Sequence, residues 1–433
     1  MSNFVQLFRN RLPKILRNYK PYLWIMLIAL LLRIVWAVAV PVVPLSDSHA
    51  YDTFAQNIAN GYGYGWTSTS LTAYWPVGTS FVYSLFYRVF GHTYLPIVVF
   101  NLLLALLIIG VSMHLAKIWF GHRIALLTGL LLALWPSQIQ FTTVLASELL
   151  FTALVLVVVM VWFNERNNLW SRAILVGIVL AAASYVRPTA LLIPLLLLFF
   201  RWVSTREILK TLNAILIVFV LMALLIAPWS IRNTQLYGQF VLISTNGGAN
   251  LWMGNNPNSK GEYMKIPTTE ELAEMNMAQR DKYLGAVAIA YIKEKPLEFV
   301  IRTLKKLVYL HDHETIGVHW NKRGLVARYG SEVLLPLKAI SQIYWLLVLG
   351  LALIGIILLG KQHGWRVMIA HPTVVVWGYF TSVHAVIIVS DRMHFYSIPM
   401  IAILAALTLT NRLDWLDTRR RLKRHLVSER KPA

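Results

Sequence analysis

The stretch YLWIMLIALLLRIVWAVAV, residues 22–40, is an apolar run followed by a polar loop with SDSHAYD at 46–52 and GYGYGW at 61–66. Such a run can cross a hydrocarbon core about 30 Å thick, which takes roughly 20 apolar residues as a helix. The chain has only 19 acidic residues among 433, yet Asp47 and Asp52 lie five positions apart beside this membrane face. We therefore interpret the loop as half of an active site at a membrane surface.

The composition predicts an all-α polytopic membrane protein. Hydrophobic residues make up 57% of the chain and charged residues 14%, with a mean hydropathy of +0.59, far from the balance of soluble proteins. The apolar runs are continuous and do not alternate, which excludes a membrane β-barrel. We predict ten spans, at 22–40, 94–116, 124–139, 147–163, 173–187, 189–200, 212–229, 334–359, 367–389 and 394–411.

The distribution of Lys and Arg predicts the orientation, because cytoplasmic loops carry the positive excess. With ten spans both termini lie on one side. The basic residues before the first span, after the last span and in the loops near 117–123, 166–172, 201–210 and 361–366 all fall on that side. Both termini are therefore predicted to be cytoplasmic. The segment 77–91 is apolar but contains Arg88, so we predict a membrane-surface helix there.

The charge and the absence of cysteine exclude several classes of function. The formal charge of +21 comes from residues that flank apolar spans, which favours topology signals and contacts to anionic lipids over nucleic-acid binding. Without cysteine there are no disulfides, thiolate metal sites or thiol nucleophiles.

We predict one integral membrane domain, 1–433, with three polar regions. A first extracytoplasmic loop covers 41–91, a long extracytoplasmic loop covers 230–332, and a basic cytoplasmic tail covers 413–433. The long loop contains STNGGAN at 244–250 and GNNP at 254–257. Such Asn/Gly density is typical of tight turns.

The first loop resembles a known family. Asp47-x3-Tyr51, Ala55, Ile58-Ala59 and GYGY at 61–64 are similar to the first external loop of GT-C membrane glycosyltransferases. These are the relatives of dolichyl-phosphate-mannose protein mannosyltransferases and of the bacterial lipid A aminoarabinose transferase. PWSIRN at 228–233, GNNP at 254–257 and DRMHFYSIP at 391–399 look like a bacterial branch of that group. The resemblance runs from about residue 21 to 412.

The resemblance implies roles for several residues. It makes Asp47 the catalytic base and matches an acid near the outer end of the fourth span with Glu148, in a catalytic or metal-linked role. Tyr51, Asn255 and Asn256 fall within the matching motifs, and we assign them to substrate binding. Two departures leave the fine assignment open. Pro76-Val77-Gly78 splits the usual Pro-Gly pair, and Asp52 is a second acid that competes for the role of base.

The family uses a polyprenyl-phosphate-linked sugar as donor, and the chemistry of one carboxylate is consistent with this. A phosphate leaving group needs no general acid, so one carboxylate suffices to take the proton of the acceptor hydroxyl, and direct displacement inverts the anomeric carbon. Arginine binds phosphate oxygens with a planar fork that stays charged. Our candidates for phosphate binding are Arg392, Arg232 and Arg187. The alternatives are a helix-end role for Arg232 and an ion pair with Asp391 for Arg392.

Two other groups of residues have open interpretations. The aromatic side chains Tyr62, Tyr64, Trp66, Tyr74 and Trp75 fit sugar stacking, but for most of them we favour the aromatic belt of a bilayer interface. His311, Asp312, His313 and Glu314 have the residue types of a zinc site. His311 and His313, two apart, would lie on opposite sides of a helix, which favours an external surface segment. We assign no metal ligands and leave the cofactor open, with a divalent cation as the candidate.

The sequence thus predicts a glycosyltransferase of hexosyl or pentosyl type in a bacterial inner membrane, with an extracytoplasmic active site. Its partners would be a polyprenyl-phosphate sugar, a lipid, glycan or protein acceptor, and membrane lipids, with no nucleic acid. A lipid or polysaccharide transporter or flippase is the alternative outside enzymes. Transporters often show internal repeats with broken helices, which we do not find. A surface-polysaccharide polymerase or ligase is the enzyme alternative.

Overall fold

The computed structural model describes residues 2–164, 166–205 and 207–411, without the side chains of residues 2–19, 204 and 205. The predicted tail at 413–433 lies outside the described residues. So do the side chains of Arg9, Arg11, Lys14 and Arg17, on which part of the predicted orientation rests.

The described chain is helical, and its only bridge between extended residues joins Gly65 and Leu71. Its helices are α1 Ser2–Ala39, α2 Asp47–Ala59, α3 Gly78–Phe90, α4 Leu95–Phe120, α5 His122–Leu134, α6 Pro136–Gln140, α7 Glu148–Trp162, α8 Leu169–Val186, α9 Ile193–Thr205, α10 Ile208–Tyr237, α11 Gly247–Gly254, α12 Glu270–Glu274, α13 Met277–Glu294, α14 Pro296–Tyr309, α15 Ile316–Trp320, α16 Lys322–Tyr329, α17 Leu334–His363, α18 Trp365–Ala370, α19 Pro372–Val386 and α20 Phe395–Asn411. Short 3-10 turns lie at Phe141–Thr143, Pro188–Leu192 and Ser331–Val333, and another opens α20 at Phe395–Ser397.

The prediction of an all-α membrane protein is confirmed, but the number of ten spans is not. Among the described residues five helices are long and apolar enough to cross a membrane: Lys20–Ala39 of α1, then α4, α8, α10 and Ser331–His363 with α17. Residues 122–143 form a sixth if the bent pair counts as one span. Three further apolar helices are shorter: α7, Pro188–Val203 and α20. A helix lies at each predicted span, and the difference is one of length.

A bend of 57° separates α5 from the segment Pro136–Thr143. Proline at 136 lacks the N–H that would continue the helix, so carbonyls at the end of α5 need other donors. The buried Arg33 of α1 donates to the carbonyls of Leu132 and Ala133, each at 3.2 Å. A cation in an apolar span is tolerated when it binds such carbonyls. Arg33 is not among the residues predicted from the sequence.

The last helix, α20, lies at the centre of the bundle. Every side chain from Met400 to Ala406 is at most 1% exposed. Aromatic contacts tie its first turn to the neighbouring helices, because Phe395 packs 4.5 Å from Phe141 and Tyr396 packs 4.9 Å from Phe151 between ring centroids. The turn before α20, which carries Arg392, is therefore held against the 3-10 turn at Phe141–Thr143 and the start of α7.

The two polar loops fold against each other. In the first loop α2 packs on α3, and in the second α11 packs on α13. The backbone N–H of Thr245 donates to the carbonyl of Ala73 at 2.8 Å, which joins the loops directly. The predicted surface helix at 77–91 is α3, a helix of 13 residues that is too short to cross a bilayer.

Candidate active site

Asp47 is the first residue of α2 and follows a strained backbone position. Ser46 has φ 55° and ψ −125°, and it is the one non-glycine residue with positive φ in the described chain. Such conformations cost of order 1–3 kcal/mol and persist where the surroundings impose them. This position lies between the end of α1 and the start of α2, directly before Asp47.

Arg392 binds Asp47 across 345 positions of sequence. Its Nη1 donates to Oδ2 of Asp47 at 2.6 Å, and both side chains keep about a fifth of their surface exposed, 22% and 20%. The guanidinium also lies 5.0 Å over the ring of Trp320. In the part of the chain that the structure describes, Oδ1 of Asp47 receives no hydrogen bond. This oxygen is therefore available to accept a proton.

A second ion pair lies beside the first and is more deeply buried. Nη2 of Arg187 donates to Oε1 of Glu148 at 2.6 Å, and Glu148 has no exposed surface. Arg187 also donates through Nε to the hydroxyl of Ser147 at 3.0 Å. Nη1 of Arg392 lies 4.0 Å from the same Oε1. Glu148 thus links the two arginines and fixes their spacing.

Three uncharged side chains complete this cluster. Tyr51 is buried one turn after Asp47, and burial followed by the charge of Asp47 raises its pKa to about 12. The ring of Tyr396 lies 4.8 Å below the guanidinium of Arg187, and His384 lies 6.0 Å from that ring between centroids. Among the described residues, neither the Tyr396 hydroxyl nor Nε2 of His384 has a hydrogen-bond partner.

Asp47, Glu148, Arg187 and Arg392, predicted from separate parts of the sequence, thus meet at one place with balanced charges. We name these four residues the charged cluster. His384 and Tyr396 are not among the site residues predicted from the sequence. Tyr396 belongs to the quoted motif at 391–399 and was detectable there, whereas nothing in the sequence marks His384.

Asp52 lies outside the charged cluster. Its carboxylate accepts hydrogen bonds from the hydroxyls of Tyr87 at 2.6 Å and Tyr94 at 3.0 Å, and it lies 2.9 Å from Nε2 of His92. It is buried, with 7% of its surface exposed. These contacts tie α2 to α3 and to the start of α4. The position supports a structural role for Asp52, and its catalytic role remains an untested prediction.

Arg232 also lies apart from the charged cluster, at the junction of the two loops. Its Nη1 donates to the carbonyl of Thr72 at 2.7 Å, its Nη2 donates to the carbonyl of Tyr64 at 3.3 Å, and the guanidinium lies 4.7 Å over the ring of Trp229. A cation bound to two carbonyls and a ring holds the first loop in place. Phosphate binding by Arg232 stays a prediction.

Asn255 and Asn256 organise the second loop. The amide of Asn255 donates to the carbonyls of Val386 and Ile387 at the end of α19, at 2.9 and 3.2 Å, and its Oδ1 accepts from Lys306 Nζ at 3.1 Å. Asn256 donates to the carbonyl of Trp252 at 2.8 Å. These contacts satisfy carbonyls that a helix end leaves free. Substrate contact by either asparagine is untested.

The residues His311, Asp312, His313 and Glu314 do not converge on one point. His311 accepts from the Trp377 indole at 2.9 Å, Glu314 accepts from the Trp135 indole at 3.0 Å, and Asp312 pairs with His313 at the surface. Within the described residues no group of three or more potential ligands is placed to hold a metal ion. The segment is partly buried and does not lie wholly on the surface.

The arrangement of the charged cluster suits one kind of chemistry. A carboxylate oxygen that is free to accept a proton lies beside two guanidinium groups that can hold an anion. Burial alone would lower the pKa of Arg392, but Asp47 and Glu148 more than offset this and raise it. For Arg187 burial likewise lowers the pKa, but Tyr396 and Glu148 more than offset this and raise it, so both arginines stay charged.

Two solved structures of one enzyme share the fold of this chain. The archaeal oligosaccharyltransferase AglB from Archaeoglobus fulgidus, in complex with an inhibitory peptide and a dolichol-phosphate, matches 95% of this chain and 52% of its own with 13% identity and a TM-score of 0.53. The same enzyme tethered to an acceptor peptide with the NVT sequon matches 94% and 51% with 14% identity and a TM-score of 0.56. This chain spans about half the length of that enzyme. At this low identity the likeness shows that the two chains share a fold.

Part of the chain matches a known protein family. Residues 75–231 match the family described as dolichyl-phosphate-mannose-protein mannosyltransferase. ArnT from Cupriavidus metallidurans, bound to undecaprenyl phosphate, matches 89% of this chain and 77% of its own with 14% identity and a TM-score of 0.46, which adds nothing to the fold assignment. No curated protein matches the sequence. The resemblance to the GT-C superfamily is confirmed.

Proposed function

We propose that this protein is a membrane glycosyltransferase that moves a sugar from a polyprenyl-phosphate donor to a hydroxyl of an extracytoplasmic acceptor. The observation that carries the proposal is the pairing of Asp47 with Arg392, with Arg187 and Glu148 beside it. A base and an anion site thus adjoin one another. The family match supports a donor of this type, because the description of that family names dolichyl-phosphate-mannose, a sugar linked to a lipid phosphate.

In the proposed reaction Asp47 takes the proton of the acceptor hydroxyl through its free Oδ1. The acceptor oxygen forms a bond to the anomeric carbon while the bond from that carbon to the phosphate oxygen breaks. The polyprenyl phosphate leaves with the electron pair and gains one negative charge. Attack opposite to the leaving group inverts the anomeric carbon.

Arg392 and Arg187 stabilise the charge that develops on the leaving phosphate, which is a large contribution in a site with little water. The unpartnered Tyr396 hydroxyl is a further donor near Arg187. An incoming phosphate competes with Asp47 for Arg392. As this ion pair loosens, the carboxylate of Asp47 is freed to meet the acceptor hydroxyl.

Glu148 acts in this proposal by positioning. Its buried carboxylate holds Arg187 at 2.6 Å and lies 4.0 Å from Arg392, so both guanidiniums stay where the phosphate arrives. Asp52 and Arg232 act outside the charged cluster. Asp52 holds α2 to α3, and Arg232 holds the first loop to the second loop.

Transfer of labelled sugar tests the proposal. Purified protein in liposomes is given a panel of polyprenyl-phosphate sugars, and transfer and release of sugar are measured for wild type, Asp47→Asn and the matched control Asp52→Asn. We expect Asp47→Asn to lose about 10²–10⁴-fold in turnover while remaining folded, and Asp52→Asn to lose far less. Turnover that survives in Asp47→Asn would place the base elsewhere. No turnover with any donor would favour a transporter.

A further inference from the structure

A cavity of about 280 Å³ lies between the two polar loops, outside the charged cluster. The first loop contributes the aromatic side chains of Trp66, Tyr74 and Trp75 to its wall. The second loop contributes Thr245, Arg280 and Asp281. None of these six residues has a role in the reaction proposed above.

The aromatic wall is a packed unit. The rings of Tyr74 and Trp75 meet edge to face with centroids 4.6 Å apart, and those of Trp66 and Trp75 do so at 6.1 Å. Trp66 packs in turn on Phe54 of α2 at 4.8 Å. Trp66, Tyr74 and Trp75, three of the five aromatic residues of the first loop, therefore line a cavity. The aromatic belt that we favour for most of the five does not describe these three.

The opposite wall of the cavity is polar. Arg280 donates through Nη2 to the carbonyl of Leu272 at 2.6 Å, and Asp281 accepts from the N–H of Ala249 at 3.0 Å. These contacts fix both side chains. Within the residues that the structure describes, Nε of Arg280 and the hydroxyl of Thr245 have no partner, although Thr245 is only 2% exposed. Buried polar groups are normally paired, so these two atoms lack the partner that most such groups have.

Tyr74 connects the cavity to the proposed base. Burial raises its pKa, and the charges of Asp47 and Asp281 raise it further. The geometry agrees, because the ring of Trp66 in the cavity wall lies 6.2 Å between centroids from His49, two residues after Asp47 on α2. The cavity therefore adjoins the first turn of α2, where Asp47 lies.

We propose that this cavity binds a sugar ring of a carbohydrate acceptor and presents one of its hydroxyls to Asp47. The proposal rests on the glycosyltransferase function and names the class of its acceptor. Aromatic rings cover the apolar face of a sugar, and Asp281, Arg280 and Thr245 offer the mixed acceptor and donor groups that its hydroxyls need. The volume lies just below the range of about 300–1,000 Å³ for drug-sized ligands, which suits one ring.

Binding is tested without turnover, by saturation-transfer NMR on the full chain in nanodiscs. The probes are the methyl glycosides of glucose, galactose, mannose, rhamnose and N-acetylglucosamine. We expect at least one of them to bind the wild type and to lose about tenfold in affinity, or about 1.4 kcal/mol, in Trp66→Ala and in Asp281→Asn. In Asp281→Asn the contact to the Ala249 N–H is kept, and the charge alone is lost. Trp170→Ala, at an exposed tryptophan of α8, is the control that should bind as the wild type does.

The outcomes separate this proposal from the proposed function. Absence of binding by every glycoside, or equal binding in wild type and both cavity variants, would overturn the carbohydrate site. Displacement of a bound glycoside by a Ser/Thr peptide would overturn it in favour of a polypeptide acceptor. Release of sugar from the polyprenyl-phosphate donor by the wild type reports on the charged cluster, so its absence would count against the proposed function alone, and we expect Trp170→Ala to leave it unchanged.

Discussion

At the scale of single residues, Asp47 and Asp52 show how the surroundings separate two identical side chains. They lie on one helix five positions apart, so they point in different directions from its axis. Asp47 meets an arginine and keeps one oxygen free, whereas Asp52 is surrounded by two tyrosine hydroxyls and a histidine. The partners, and not the residue type, distinguish the two positions.

The ion pair of Glu148 and Arg187 gives a first prediction. Glu148→Gln leaves the guanidinium of Arg187 buried without its counter-charge, which costs about 3–5 kcal/mol for such pairs. We expect a large drop in thermal stability and loss of turnover. The double variant Glu148→Gln with Arg187→Gln should regain stability, because no uncompensated charge remains, but it should stay inactive.

Differential scanning fluorimetry and the sugar-release assay measure the two effects separately. Recovery of turnover in the double variant would contradict the assignment of Arg187 to phosphate binding. Equal stability of the single and double variants would contradict the coupling of the two charges.

Lys306 of α14 gives a prediction on pH. Its side chain is fully buried, and burial followed by the charge of Arg302 lowers its pKa to about 7, from an ordinary value of 10.5. Between these values the unfolded chain binds more protons than the folded chain, so the free energy of unfolding rises with pH. We expect wild type to gain stability from pH 7 to pH 9 and Lys306→Met to lose this dependence.

Lys305→Met is the matched control, because the side chain of Lys305 is exposed. Thermal unfolding midpoints at several pH values measure the effect. A pH dependence that is unchanged in Lys306→Met would show that another group causes it.

At the scale of elements, α3 is positioned by a close approach to α8. A Cβ atom added at Gly78 would lie 2.7 Å from the carbonyl carbon and oxygen of Tyr185, two residues before Arg187. Glycine at the first position of α3 therefore allows the first loop to sit against the end of α8. Backbone atoms cannot move aside as a flexible side chain can.

We therefore expect Gly78→Ala to destabilise the protein by about 1–3 kcal/mol, the usual cost of overpacking, and to lower sugar release through displacement of Arg187. Gly110→Ala in α4 is the control, since a Cβ there would meet no atom within 4 Å and alanine favours a helix by about 1 kcal/mol. Thermal unfolding of the two variants measures the difference. Equal effects would show that the approach of α3 to α8 is not tight.

At the scale of the whole molecule, the predicted sidedness is testable because the chain has no cysteine. Single cysteines at Ser68, in the first loop, and at Asn167, between α7 and α8, replace exposed residues. We expect a membrane-impermeant maleimide to label the Ser68→Cys variant in sealed right-side-out vesicles. The Asn167→Cys variant should be labelled only after permeabilisation. The reverse pattern would contradict an extracytoplasmic active site.

Much of the fold was predictable, because long apolar runs must form helices in a membrane. Helix lengths were less predictable. Pro136 breaks the third predicted span, and α7, a helix of 15 residues, is largely enclosed by protein. The central place of α20 depends on contacts with several distant helices, which no local pattern encodes.

For the candidate site, the motifs identified Asp47, Glu148 and Arg392 individually. Their meeting was implied only by the family resemblance. His384 could not have been found, since a histidine in an apolar helix becomes informative only when Arg187 and Arg392 are known to lie near it.

The sequence by itself determined that the chain is a helical membrane protein and that its acids and arginines lie beside apolar spans, because hydropathy and charge act locally along the chain. Tertiary structure alone decided which arginine meets which carboxylate. It also decided that Asp52 is enclosed by donors and that two loops close around an aromatic cavity. Those outcomes depend on distances between residues hundreds of positions apart, and such distances are set by packing of the whole bundle.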